Sequence, residues 1–366
     1  MMKTIIKVLG LLQSLFCSSF LHLPSVSAKY PLWLAAVFTL ATSASASYAT
    51  PGALGDPNIK YFGRWDFSNP SQYLAYWGGA YLKVNFTGTT AQINVGTTDT
   101  TNYYAQIDNG PWTTFANASG IVNLTPTPLE SGTHTLSVAQ GKDYSYKFCF
   151  QGLTFDPDAT TSPPTVGSNL IEFIGDSITT GYTDTQADVS DYAWICSQKL
   201  DCEHTQITFP GIALSTGYGF NGGQPGMVIQ YLKLQPSGDK NWHFSNYTPQ
   251  IVVINIGQND TYPTREPSSQ FQTNYATLLT TVRSKFPNAQ IFAMRTFSGN
   301  EATLILAAVN AQRDDGDTKL HYVDTTGWLL HSDTKDGTHP TDAGQMKVAR
   351  LLQPILGMYL EDTPGL

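Results

Sequence analysis

From Leu170 onward, short apolar runs alternate with stretches at helical spacing, and that alternation leaves few folds open. The runs cover residues 170–174, 205–209, 251–256, 290–296 and 321–324. Helical patterns lie between or after them, near 191–200, 226–234, 268–285, 301–312 and 341–357. Strands separated by helical crossovers pair in parallel, with helices on both faces. The expectation is an α/β/α three-layer domain over 169–362 with a five-stranded parallel sheet. Reacting groups in such sheets gather at the carboxyl ends of the strands.

The chain ahead of this region reads differently. Residues 81–86, 91–95, 103–107, 121–124, 133–138 and 146–155 are short runs of strand character, with no helical period between them. Asp108-Asn-Gly110 is a strong hairpin turn. Residues 49–156 therefore predict an all-β sandwich of jelly-roll type, and the Pro/Thr/Ser-rich 157–168 a linker. Tyr61, Trp65, Tyr73, Tyr76, Trp77 and Trp112 could stack on sugar rings. Aromatics also dominate the energetics of cores, and that reading carries more weight.

Aromatic residues make up 12% of the 366 and charged residues 13%, which describes a globular chain rather than a disordered one. The net charge is -8; the first 48 residues hold three lysines and no acid, so the chain beyond them carries -11. Such a charge disfavours nucleic acid and anionic membranes as partners. Residues 1–48 read as a signal or targeting segment with two tandem apolar stretches, 5–21 and 32–40, each followed by small residues suited to cleavage. A secreted product with no membrane attachment after cleavage is expected, with a different start site or an uncleaved anchor as the alternatives. Asn85, Asn117, Asn123 and Asn246 head glycosylation sequons. Cys196 and Cys202 are close enough in sequence to form a small disulfide loop in an oxidising compartment, and Cys149 reads as a buried thiol. No Cys/His spacing suggests a metal site.

Four short polar blocks fall where strands are predicted to end: Gly175-Asp-Ser177, Pro210-Gly211, Gly257-Gln-Asn259-Asp260 and Asp336-Gly-Thr-His339. Ser177 is expected where a strand turns into a helix, a rigid and exposed position for a nucleophile. A serine hydroxyl needs a base, and His339 is the natural one. Asp336, three residues earlier, can orient the imidazole and stabilise its charged form. Each block alone could be only a cap or a turn. Ala213-Leu-Ser215-Thr-Gly217 is a rival nucleophile elbow, but no strand directly precedes it. His134, His204, His243, His321 and His331 lack partners of this kind and read as surface or packing residues. Asp260 is a candidate for a structural hydrogen bond.

Taken together the four blocks resemble the signature of the SGNH, or GDSL, hydrolase superfamily, over residues 171–340. A jelly roll ahead of such a domain, with Gly63-Arg64-Trp65 near its start, resembles carbohydrate esterase family 2. The resemblance implies a serine esterase without metal or organic cofactor that removes acetyl groups from plant cell-wall polysaccharide, xylan or mannan. It assigns Ser177, His339 and Asp336 to catalysis, and the Ser177 N–H, the Gly211 N–H and the Asn259 amide to the oxyanion hole. Trp328 and Tyr218 are candidates for lining the acyl or sugar site. A short-chain lipase or general esterase is the alternative, and a carbohydrate-binding protein with a silent hydrolase domain a third reading.

Overall fold

The computed structural model describes residues 50–96, 101–141, 147–220 and 225–360. The targeting segment expected over 1–48 lies outside the described residues.

The first part is a sandwich of two antiparallel sheets. One sheet has the order β1(Lys60–Phe62), β4(Tyr81–Gly88), β9(Gly132–Gln140), β6(Thr101–Ile107), β7(Thr113–Ala118). The other runs β2(Trp65–Asp66), β3(Tyr73–Ala75), β10(Phe148–Phe155), β5(Ala91–Val95), β8(Gly120–Asn123). Alternation sets the inner faces: Leu82, Val84 and Phe86 of β4, and Ile93 and Val95 of β5, are buried in one core. The β6–β7 hairpin turns on Asp108 and Asn109, with φ of 51° and 58°, the left-handed pair such a turn requires. Trp65, at 3% exposure, is buried in this core as the core reading has it; Trp77, at 1%, is buried instead with Ile174, Ile207 and Tyr231 of the second part.

The segment expected as a linker does more than connect. Its β11(Thr161–Ser162) pairs antiparallel with β4, Thr161 opposite Phe86, and so belongs to the first sheet. Asn58 fastens it further, donating through Nδ2 to the Thr161 carbonyl at 3.1 Å.

The second part has one parallel sheet, β13(Glu203–Thr208), β12(Leu170–Gly175), β14(Ile251–Asn255), β15(Gln290–Met294), β16(Leu320–Val323) in that order. On one face Val252 and Ile254 pack against α2(Met227–Gln230), α3(Ser268–Lys285) and α4(Ala302–Asp314). On the other, Ile171, Phe173 and Val253 pack against α1(Tyr192–Lys199) and α5(Asp342–Gly357). Helix starts follow capping chemistry: the Asp191 carboxylate accepts from the Trp194 N–H, and the Thr341 hydroxyl from the Gly344 N–H.

Three local expectations fail. The helix predicted over 226–234 stops at Gln230, and Lys233 instead bridges Asn241 across a reversal containing Pro236 and Gly238. Turn chemistry overrides apolar spacing there. Residues after Ser177 form successive turns rather than a helix, and helix begins only at Tyr192. Cys196 and Cys202 are free thiols, so the expected disulfide is absent. Both sit in the apolar layer under α1 and α5, and burial pushes each thiol up to about 12. Cys202 points its thiol at the Leu200 carbonyl, 3.4 Å away.

Arg64 joins the two parts. Its side chain, 0% exposed, leaves the sandwich and donates to the carbonyls of Tyr231 and Lys233 at 2.5 and 2.7 Å. Its guanidinium lies 3.9 Å from Glu172 of β12 and faces the rings of Tyr231 and Phe244, each at 5.1 Å. Glu172 also accepts hydroxyl hydrogen bonds from Tyr231 and Tyr247.

Candidate active site

Gly175 closes β12 and leaves Ser177 two residues beyond the sheet edge. A side chain on Gly175 would meet Thr179 Oγ1 at 2.2 Å, so glycine is needed for this tight exit. The following turn is held by the Tyr182 N–H donating to the Ser177 carbonyl at 3.0 Å. Beyond β16, the chain reaches Asp336 and His339 just before α5. There an Asx turn forms: the N–H groups of Thr338 and His339 donate to Asp336 Oδ1 at 3.0 and 2.8 Å.

These two loops bring three functional groups into line. His339 Nε2 lies 2.8 Å from Ser177 Oγ, and His339 Nδ1 lies 2.6 Å from Asp336 Oδ2. Both contacts are hydrogen bonds of the length that proton transfer from a serine hydroxyl requires. Burial raises the Asp336 carboxyl, but the backbone and ring hydrogen bonds from His339 outweigh it and bring the group down to about 2. Asp336 is therefore charged across the neutral range and fixes the imidazole with Nε2 toward the serine. Ser177 itself is only 5% exposed.

Gly211 and Asn259 come from the loops after β13 and β14. Gly211 has φ of +78°, and a Cβ there would stand 2.9 Å from Phe220 Cβ. The Asn259 amide donates to the Ile212 carbonyl at 2.9 Å and lies 3.4 Å from Asp176 Oδ2. Asp260 pins these loops together, accepting the N–H groups of Leu214 and Ser215 at 3.0 and 3.2 Å. This is the structural hydrogen bond expected of it. Asp176, buried beside the site, is pushed up to about 6 by desolvation, against the opposing hydrogen bond from the Ile178 N–H.

All five expected residues, Ser177, Gly211, Asn259, Asp336 and His339, line one cavity of about 610 Å³. Its remaining wall includes Tyr182, Phe220 and Tyr262, which sequence pattern did not single out. Phe220 and Tyr262 are each 61% exposed, and their rings stand 5.3 Å apart. They belong to different loops, so no spacing in the chain could announce the pair. Trp328 and Tyr218, the two expected substrate contacts, do not line this cavity. Trp328 packs against the apolar layer between the sheet and α5.

The rival and unpartnered groups resolve as well. Ser215 is 1% exposed, its hydroxyl accepts from the Asn274 amide at 2.6 Å, and it does not line the cavity that holds His339. His134 does have a carboxylate partner, against expectation: its Nδ1 lies 2.6 Å from Asp108. Its other nitrogen is taken by the Glu130 carbonyl at 2.8 Å, so the pair serves the sandwich surface rather than a nucleophile. His204 is wedged between Tyr81 and Trp194, and burial lowers it to about 3. Among the described residues no group of three or more His, Cys, Asp or Glu side chains could hold a metal ion, and no helix is long and apolar enough to cross a membrane.

Known proteins resemble both parts of this chain. Residues 173–347 match the GDSL-like Lipase/Acylhydrolase family, and residues 61–164 match the Carbohydrate esterase 2 N-terminal family. The Cellulase/esterase CelE of Acetivibrio thermocellus is 30% identical over 291 residues, covering 74% of this chain and 35% of that protein. The chain thus spans about a third of that relative's length. An acetylxylan esterase / glucomannan deacetylase of Cellvibrio japonicus is 26% identical over 260 residues, covering 64% of this chain and 71% of the relative. A family two carbohydrate esterase from Clostridium thermocellum, solved in complex with cellohexaose, superposes with a TM-score of 0.73 at 27% identity, covering 81% of this chain and 98% of that one.

Proposed function

We propose that this chain, which joins a carbohydrate esterase 2 N-terminal domain to a GDSL-like acylhydrolase domain, is a secreted serine esterase that removes O-acetyl groups from plant cell-wall polysaccharide. The observation that carries the proposal is the unbroken line of hydrogen bonds from Ser177 through His339 to Asp336. The esterase names of its relatives and the carbohydrate bound to its structural neighbour support the substrate class.

In this reading His339 Nε2 takes the Ser177 proton as Oγ attacks the acetyl carbonyl carbon. The Ser177–carbon bond forms, and the carbonyl electron pair moves onto oxygen. The Ser177 N–H, the Gly211 N–H and the Asn259 amide receive that oxyanion. The Asn259 amide donates to the Ile212 carbonyl at 2.9 Å and to Asp176 Oδ2 at 3.4 Å, and the longer of the two contacts is the one the oxyanion would replace. Collapse breaks the bond to the sugar oxygen, which leaves with the proton from His339. Water, deprotonated by His339, then releases acetate and restores Ser177. Phe220 and Tyr262 offer an exposed aromatic ledge on which a sugar ring can stack.

Acetate release from acetylated xylan and mannan, compared between wild type and Ser177→Ala, tests the reading; equal release by the two would sink it. A chain-length series of p-nitrophenyl esters separates the alternatives, since preference for long acyl chains marks a lipase. Labelling by a serine-directed phosphonate separates a working site from a silent one. On the ledge, Tyr262→Ala should raise KM for the polysaccharide and leave p-nitrophenyl acetate unaffected.

A further inference from the structure

At the opposite end of the parallel sheet from Ser177 lies a second cavity, of about 430 Å³. It opens between the aromatic corner of the sandwich and the starts of the parallel strands, where Leu170 and Gln250 form its floor. Tyr61, Trp65 and Phe67 form one wall, and Trp242 and Tyr247 the other. Phe67 is 47% exposed there, although it packs against Tyr61 and Tyr73 at 5.3 and 4.8 Å. Phe67 is the exposed face of an aromatic cluster whose other walls are largely buried, Trp65 at 3% and Trp242 at 7% exposure.

Asn246 lies on the lip of this groove. It heads the sequon Asn246-Tyr-Thr248, and both Asn246 and Thr248 are exposed. Its carboxamide has no hydrogen-bond partner among the described residues. The other sequons differ. Asn85 is tied down at both ends of its amide, donating to the Pro163 carbonyl at 3.1 Å and accepting from Thr135 at 2.8 Å. Asn123 Oδ1 is engaged by the Thr125 N–H at 3.0 Å. Asn117 is exposed but lies on an edge strand away from the groove.

We propose that Asn246 carries an N-linked glycan whose innermost N-acetylglucosamine lies in this groove against Phe67 and bridges the two parts of the chain. In the attachment step the Asn246 amide nitrogen bonds to the anomeric carbon of a lipid-linked oligosaccharide. The lipid diphosphate departs with the bonding pair, and the amide loses one proton to base. The aromatic walls match the apolar face of the sugar, while the Asn169 and Gln250 carboxamides beside the opening match its hydroxyl and acetamido groups. Tethering at the lip removes most of the entropic cost of docking. The inference rests on the secreted route of the proposed function and is independent of its esterase chemistry.

The test uses the full chain secreted from a yeast host and the same chain made in bacteria without glycosylation. Peptide mass mapping is expected to find Asn246 occupied. Asn246→Gln should lower Tm by about 2–4 °C in the secreted protein and leave the bacterial protein unchanged. Phe67→Ala should abolish that difference; what the substitution costs through lost packing on Tyr61 and Tyr73 is read from the bacterial protein and subtracted. An empty Asn246 overturns the proposal; so does a glycan whose loss leaves Tm unmoved, or a gain that survives Phe67→Ala. Acetate release is read on the same samples, so failure here is distinguishable from failure of the esterase reading.

Discussion

The Nε2 atom of His339 stands 2.8 Å from the hydroxyl oxygen of Ser177, across 162 positions of chain. The two residues meet because they leave the same edge of one sheet, Ser177 after β12 and His339 after β16. Ser177→Ala should therefore lower kcat by about 10⁴–10⁶ with little change in KM. Asp336→Asn should cost less, roughly 10–10⁴-fold, because half of this carboxylate faces water that can take over part of its role. Steady-state kinetics on p-nitrophenyl acetate checks both; an Asp336→Asn chain at full rate would reduce the machinery to a Ser-His pair.

Asn259 is the side-chain donor of the proposed oxyanion hole. Its replacement by Ala should lower kcat by about 10²–10³ and leave KM close to its starting value, since the hydrogen bond matters only once charge develops on the carbonyl oxygen. Far-ultraviolet circular dichroism should be unchanged. A loss of KM alone, at constant kcat, would assign Asn259 to ground-state binding instead.

The parts of the site that could be read in the chain have two sources. Ser177, Gly211 and Asn259 closely follow apolar runs and are displayed by strand ends, which the period of the sequence locates. Asp336 and His339 stand well beyond β16 and were legible as an Asp-x-x-His block just ahead of the last helical pattern. The aromatic ledge is not displayed in that way. Phe220 and Tyr262 meet only because Asp260 binds the backbone of Leu214 and Ser215 and draws two loops together. Trp328 and Tyr218 were attractive on residue type alone, which says nothing of direction. The disulfide expectation failed for a related reason, since nearness of Cys196 and Cys202 in the chain does not aim their thiols at each other. Arg64 is the sharpest case: an arginine reads as surface, yet here a core is built around it.

That core makes a prediction about stability. Removing the Arg64 guanidinium leaves Glu172, which is fully buried, without its only cationic neighbour among the described residues. Desolvation already raises the Glu172 carboxyl, and Arg64 is the first of the groups opposing it. Arg64→Ala should destabilise the chain by about 3–5 kcal/mol in urea unfolding, and Arg64→Ala with Glu172→Gln by less than Arg64→Ala alone. Additive losses in the double variant would show that packing, and not the unpaired carboxylate, dominates.

The turns between Ser177 and α1 carry three buried carboxyls: Asp188, which a side chain on Gly78 of the sandwich would meet at 3.1 Å, and Asp184 and Asp191, which lie against Gly181. Burial is the first cause of a raised value at each: Asp184 to about 8, Asp191 to about 7, and Asp188 well above the ordinary range. The Asp191 charge adds to the shift at the other two. A carboxyl whose folded value exceeds its unfolded one favours folding while protonated. Its contribution is complete below about 4, the unfolded value, and is lost as pH rises through the folded value. Asp336, held down to about 2, acts in the opposite sense but only below that window. Tm should therefore decline as pH rises from about 4 toward 8, the window set by the unfolded value and by Asp184. Asp184→Asn and Asp188→Asn, which keep the shape and cannot ionise, should each flatten the decline and raise Tm on the alkaline side. A Tm that climbs across this window, or a slope indifferent to both substitutions, would refute the assignment.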